Sequence, residues 1–156
     1  MLGASTTRML LLSTLFPCLA ADSLRGLGSA VPSNTTRSST PGACTSADEA
    51  KMTELGSGNA DGTFPKILSN CGKRNYNIFS GFNAHNFVDC VKENTGVTFD
   101  CGACFVAPAR YGANNCKWSC LWGSWCGKGC LDCIGKKNEE SQQCAGVKVP
   151  TATVCR

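Results

Sequence analysis

The stretch "NCKWSCLWGSWCGKGCLDC", residues 115–133, puts five cysteines and three tryptophans into nineteen positions. Thiols at that density serve as a metal cage, a redox centre or a set of covalent staples. Cys116 and Cys120 are four apart, as are Cys126 and Cys130; Cys130 and Cys133 are three apart, as are Cys101 and Cys104 upstream. On a helix each such pair points to one side. Two cysteines one turn apart on a regular helix rarely have suitable geometry for each other, so they are placed to reach a neighbouring helix. Gly123-Ser124 is where the chain can turn between two such helices. A nested hairpin, Cys116 to Cys130 and Cys120 to Cys126, is the connectivity expected.

The N-terminus argues for staples. Arg8 is the only charge before the apolar run "MLLLSTLF", residues 9–16, and "CLA" follows with small residues at Cys18 and Ala20. Residues 1–20 therefore read as a signal peptide cleaved after Ala20; the run is too short to span a bilayer comfortably. Cleavage removes Cys18 and leaves twelve of the thirteen cysteines: Cys44, Cys71, Cys90, Cys101, Cys104, Cys116, Cys120, Cys126, Cys130, Cys133, Cys144 and Cys155. An even set in an exported chain is a disulfide framework. Each staple contributes about 2–4 kcal/mol, mostly by restricting the unfolded chain.

The competing chemistries fit less well. Cys101-x2-Cys104 and Cys130-x2-Cys133 form a double CxxC, a strong zinc signal in a cytosolic protein. Here the pairs lie within helical patterns rather than on tight turns, and eight further cysteines surround them on an oxidising route. The redox reading of "CGAC" lacks the strand and βαβ setting that it needs. No metal and no cofactor is expected. Losing Arg8 with the leader leaves 14 Lys and Arg against 11 Asp and Glu, too balanced for a nucleic-acid partner. The densest basic cluster, "GKK" at 135–137, reads as a solvated helix end.

Residues 21–43 are rich in Ser, Thr, Pro and Gly and are expected to be a disordered linker. Asn34-Thr35-Thr36 is a glycosylation acceptor sequence. The same segment has transit-peptide composition. Signal peptide plus such a segment is the bipartite leader of algae whose plastids sit inside additional membranes.

Residues 44–156 amount to one domain. They predict an all-α fold, a small disulfide-stapled bundle of short helices and helical hairpins with little or no strand. Ser46 with Glu49 makes a capping box. Asn83 caps "AHNFVDCVKEN", with Phe82 and Phe87 as a hydrophobic staple and Gly96 beyond the end. Thr98 caps "FDCGACFVA", which Pro108 should limit. Asn114 precedes "NCKWSCLW", Ser124 precedes "WCGKGCLDCIGKK", and a shorter helix covers "FPKILSNC". The tail "VKVPTATVC" reads as extended, and Pro150 makes it an edge or a strap. "CGACF" with Cys116 and "CLDCI" with Cys144 hint at two related helical hairpins.

Catalytic motifs are scarce. His85 and Asp89 lie at i, i+4, but without the adjacent His–Asp, paired cysteines and calcium loop of secreted phospholipases. No G-x-S-x-G, H-E-x-x-H or glycine-rich phosphate loop is present. The pair is expected on a helix surface. Trp118 and Trp122 share a helix face and Trp125 starts the next helix. Core packing over disulfides is the expectation for all three; the alternative is an exposed platform for glycans, a lipid surface or pigment.

"CTSADEAKMTELG", "LSNCG", "FVDCV", "CGACF", "NCKWSC", "CLDCI" and "QCAG" together resemble a group of small secreted cysteine-rich proteins of dinoflagellates and related protists, over roughly residues 43–147. That group usually carries an additional cysteine pair between the positions of Cys71 and Cys90; here "GKRNYNIFSGFNAHNF" fills the interval with none. The resemblance implies a stapled helical fold and an endomembrane route, without an assigned activity. The first expectation is thus a secreted, non-enzymatic binding or structural module for a protein or glycan ligand. The second is a plastid-lumen subunit docked on a photosynthetic membrane complex, and the third a small hydrolase using His85 and Asp89.

Overall fold

The structure, a computed structural model, describes residues 42–155. The leader, Asn34 and the linker up to residue 41 lie outside the described residues. Eight helices follow in order: α1 Ser46–Leu55, α2 Phe64–Arg74, α3 Ala84–Thr95, α4 Phe99–Ala103, α5 Val106–Asn115, α6 Lys117–Cys120, α7 Lys128–Gly135 and α8 Asn138–Ala145. Between α2 and α3 a two-stranded hairpin, β1 Tyr76–Asn77 and β2 Gly81–Phe82, pairs antiparallel with Tyr76 opposite Phe82. The fold is helical and disulfide-stapled, as its sequence predicts.

Capping explains several boundaries. Asn83 accepts the N–H of Asn86 at 3.1 Å, the rings of Phe82 and Phe87 lie 5.4 Å apart, and α3 closes on left-handed Gly96. Lys51 of α1 donates to the Gly96 carbonyl, a cation at a helix C-terminus. Thr98 caps α4 by accepting the N–H of Cys101. Pro65 sits in the first turn of α2, where no N–H is missed.

Four expected boundaries are corrected. The capping box of α1 is Thr45 with Asp48, one residue before Ser46 and Glu49. Both registers fit the pattern; the buried one wins because Asp48 also takes hydrogen bonds from Thr98. Pro108 does not limit α4, which ends at Ala103; it enters the first turn of α5. Asn114 lies inside α5 rather than capping α6, which is a single turn. Ser124 caps nothing: its hydroxyl lies 2.9 Å from Cys155 Sγ, and α7 begins only at Lys128 after Gly127.

All twelve cysteines of the described residues are paired: Cys44–Cys101, Cys71–Cys90, Cys104–Cys144, Cys116–Cys133, Cys120–Cys130 and Cys126–Cys155. The expected nest of Cys116–Cys130 and Cys120–Cys126 is therefore wrong in its partners. Because α7 starts late, Cys126 falls in a turn and bonds the tail, where the Cys155 N–H also donates to the Cys126 carbonyl at 2.9 Å. The helical cysteines Cys130 and Cys133 then bond Cys120, at the end of α6, and Cys116, between α5 and α6. The nesting survives, moved along by one cysteine.

The two short repeats do form helix pairs, α4–α5 and α7–α8, and they exchange bonds. Cys104 of the first joins Cys144 of the second, and Cys133 of the second joins Cys116 of the first. This reciprocal pairing ties the halves of residues 99–145 together.

Two apolar clusters result. The larger gathers Met52, Phe64, Phe87, Val91, Val97 and Phe105, with Phe64 and Phe105 edge to face at 5.2 Å. The smaller is mostly sulfur, Cys116, Cys120 and Cys130 against Tyr111 and Ile134. The tail is a strap without ladder pairing to a strand: Thr151 accepts the Gly58 N–H at 2.9 Å and donates its own to Ser57.

An apolar groove and an exposed aromatic face

A cavity of about 290 Å³ lies beside both clusters. Along α2 it is lined by Pro65, Leu68, Ser69, Gly72 and Lys73, one helical stripe at i, i+3, i+4, i+7 and i+8. The stripe covers about 12 Å at 1.5 Å per residue. Ala109, Gly112 and Ala113 of α5 and Leu131 and Ile134 of α7 form the facing walls, and the strap adds Val149 and Pro150.

Small residues keep this space open. A Cβ added at Gly72 meets nothing within 4 Å, and one at Gly112 first meets Ile134 at 3.8 Å. The lining is largely apolar, with Ser69, Lys73 and Gln142 among its few polar side chains. Apolar walls with a few polar groups are the usual make-up of a small-molecule site, and the volume sits near the lower end of such sites.

Trp125 also lines the groove; it is half-buried, with the Lys66 ammonium 5.2 Å from its ring centre. Trp118 and Trp122 behave differently. They are 83% and 61% exposed and stack on each other with centroids 4.8 Å apart. The expectation that they pack in the core is overturned, for a geometric reason. Cys116, just before α6, and Cys120, at its end, point inward to reach α7. Trp118 and Trp122 each follow two residues later, about 200° around the axis, so they face outward.

A second exposed feature was not anticipated. The hairpin turn carries Ile78, 73% exposed, and Phe79, 97% exposed. Its sequence "YNIFSGF" holds turn residues, but only the structure places the tip clear of the body. Nor did the sequence reveal the groove, whose facing small residues come from separate helices.

His85 Nε2 lies 3.4 Å from Asp89 Oδ2, with side chains 73% and 45% exposed. The imidazole leans toward Phe99, 5.7 Å between centroids. This is the surface pair expected of i, i+4 spacing, and neither residue lines the groove. Cys101 and Cys104 bond to Cys44 and Cys144, so that CxxC is divided between two partners, as is Cys130 with Cys133. Among the described residues no group of three or more His, Cys, Asp or Glu is disposed to hold a metal ion, and no helix is long and apolar enough to cross a membrane.

Compared with protein-family models, curated proteins and solved structures, the chain finds no match.

Proposed function

We propose that this protein is a secreted, non-enzymatic, disulfide-stapled helical module that binds a small apolar ligand in the groove between α2, α5 and α7. The observation that carries the reading is the cavity of about 290 Å³ lined by the α2 stripe and kept open by Gly72 and Gly112. Filling such a space with an alkyl chain or ring removes apolar surface from water at about 25 cal/mol per Å². Six disulfides support the scaffold role, since they fix the helices in place without a large core.

The oxidising route rests on the twelve paired cysteines, the signal-peptide reading of residues 1–20 and the resemblance to secreted protist proteins. N-terminal sequencing of the mature chain tests it. A start near Ala21 agrees with secretion, whereas a start near Ala43 points to a second cleavage and a plastid lumen.

The binding claim is tested by titrating laurate against Trp125 emission in a Trp118→Phe/Trp122→Phe background. Gly72→Leu fills the groove, and it replaces a helical glycine, so helix propensity favours the variant by somewhat under about 1 kcal/mol. The expected result is saturable binding that Gly72→Leu weakens at least about tenfold, the loss of one buried side chain's worth of apolar contact. No saturable binding, or equal binding in Gly72→Leu, contradicts the reading.

A further inference from the structure

We propose that the β1–β2 tip and the stacked indoles of Trp118 and Trp122 dock this protein on an anionic lipid surface. The proposal stands independently of the groove and its ligand.

The tip is built rather than loose. Asn77 Oδ1 accepts the N–H of Phe79 at 2.8 Å and of Ser80 at 3.3 Å, and Gly81 takes φ 80° to return the chain. This ordered turn holds Ile78 and Phe79 in water, where large apolar side chains gain nothing for folding. The stacked indoles connect to the hairpin at its root. Lys117 Nζ lies 5.6 Å from the ring centre of Tyr76 at the hairpin root, and Trp118 follows Lys117 directly. Indoles and a phenylalanine exposed together suit a membrane–water interface, where amphipathic rings settle at headgroup level.

Charge selects the kind of surface. Residues 62–88 and 101–131 carry the tip and the indoles. They contain Lys66, Lys73, Arg74, Arg110, Lys117 and Lys128, and no Asp or Glu. All ten acids between residues 42 and 155 lie elsewhere, with only five cations among them. Lys66 pairs with Asp61 and Lys128 with Asp132. Lys73, Arg74, Arg110 and Lys117 make no ion pair among the described residues. Apolar anchors flanked by unpaired cations are the signature of interfacial binding to anionic headgroups. The same cations argue against a second copy on this face, because two copies would bring like charges together.

Vesicle flotation tests the assignment, with every variant prepared in the same purified, oxidised form. The probes are vesicles of phosphatidylcholine alone and vesicles with about a third phosphatidylglycerol. The protein is expected to float with the anionic vesicles, less so as salt rises, and to stay behind with the neutral ones. Ile78→Ser/Phe79→Ser and Trp118→Ala/Trp122→Ala should each weaken partition at least about tenfold. Arg74→Gln/Lys117→Gln should reduce the preference for anionic vesicles. All these side chains are exposed or partly exposed, so an unchanged thermal midpoint serves as the folding control. Failure of the wild type to float, undiminished flotation of the Ile78/Phe79 variant, or equal flotation with neutral vesicles overturns the proposal. So does a concentration-dependent dimer that the Ile78/Phe79 variant abolishes, since that gives the face to a second copy.

Discussion

The carboxylate of Asp48 accepts the backbone N–H of Thr98 at 2.7 Å, across fifty residues of sequence. Its other oxygen takes the Thr98 hydroxyl at 3.0 Å, the Thr45 hydroxyl at 2.8 Å and the Thr45 N–H at 2.9 Å. One buried anion thereby joins the caps of α1 and α4, beside the Cys44–Cys101 bridge, where the helix dipoles favour negative charge. Burial pushes the Asp48 carboxyl up, but the hydrogen bonds from Thr45 and Thr98 outweigh it and hold it below its ordinary 3.8.

A depressed carboxyl stabilises the fold fully above its unfolded-state value and progressively less as pH falls through the folded one. Asp48→Asn should therefore cost about 3 kcal/mol at neutral pH, the scale of hydrogen bonds to a charged group with one donor left facing another. At acid pH, as the native carboxylate is itself protonated, the gap between wild type and variant should narrow. Denaturant unfolding at the two pH values, with disulfides intact, measures both. A gap independent of pH contradicts the role given to the charge.

Gly96 and Gly146 close α3 and α8 with nearly the same left-handed φ, 71° and 68°, but they meet different surroundings. A Cβ at Gly96 touches only the flexible Lys51 side chain at 3.6 Å, whereas one at Gly146 lies 2.7 Å from the backbone N of Gly42. The Ala43 N–H bonds the Cys144 carbonyl at 2.8 Å, so that crossing cannot simply open. Gly96→Ala should cost about 1 kcal/mol for conformation alone. Gly146→Ala should cost at least about 1 kcal/mol more, through overpacking. Thermal midpoints of the two variants check the order, which sets backbone crowding apart from φ.

His85→Ala should leave stability within about 0.5 kcal/mol of wild type, because an exposed pair contributes little. It should also leave laurate binding unchanged, since His85 does not line the groove. A parallel hydrolysis screen asks whether His85 does chemistry; an activity lost in His85→Ala would revive the hydrolase reading.

Local signals were readable where one element decides the outcome. Asn83, Phe82 and Phe87, Gly96, Thr98 and Pro65 each act within a turn of their own position, and each appears where the sequence places it. Features set by distant partners were not. The register of the α1 box depends on Thr98, the fate of Cys126 on the tail, and the groove on small residues of α2 facing α5. The outward indoles lie between these cases. Their two-residue offset from Cys116 and Cys120 was visible, and it points them away from whatever those cysteines bond.

Trypsin, applied without reductant, tests the scaffold most directly, because Lys and Arg separate the cysteines except within the pairs Cys101/Cys104, Cys120/Cys126 and Cys130/Cys133. The six bridges predict three separate linked assemblies. Residues 67–73 stay with 75–92 through Cys71–Cys90. The peptides holding Cys44, Cys101 with Cys104, and Cys144 form the second. Residues 111–117, 118–128, 129–136 and the C-terminal peptide form the third. Mass spectrometry finding these three sets supports the stapled helical scaffold on which groove and docking face depend. Free thiols, or residues 118–128 released from 129–136 with Cys120 and Cys126 joined to each other, would contradict it.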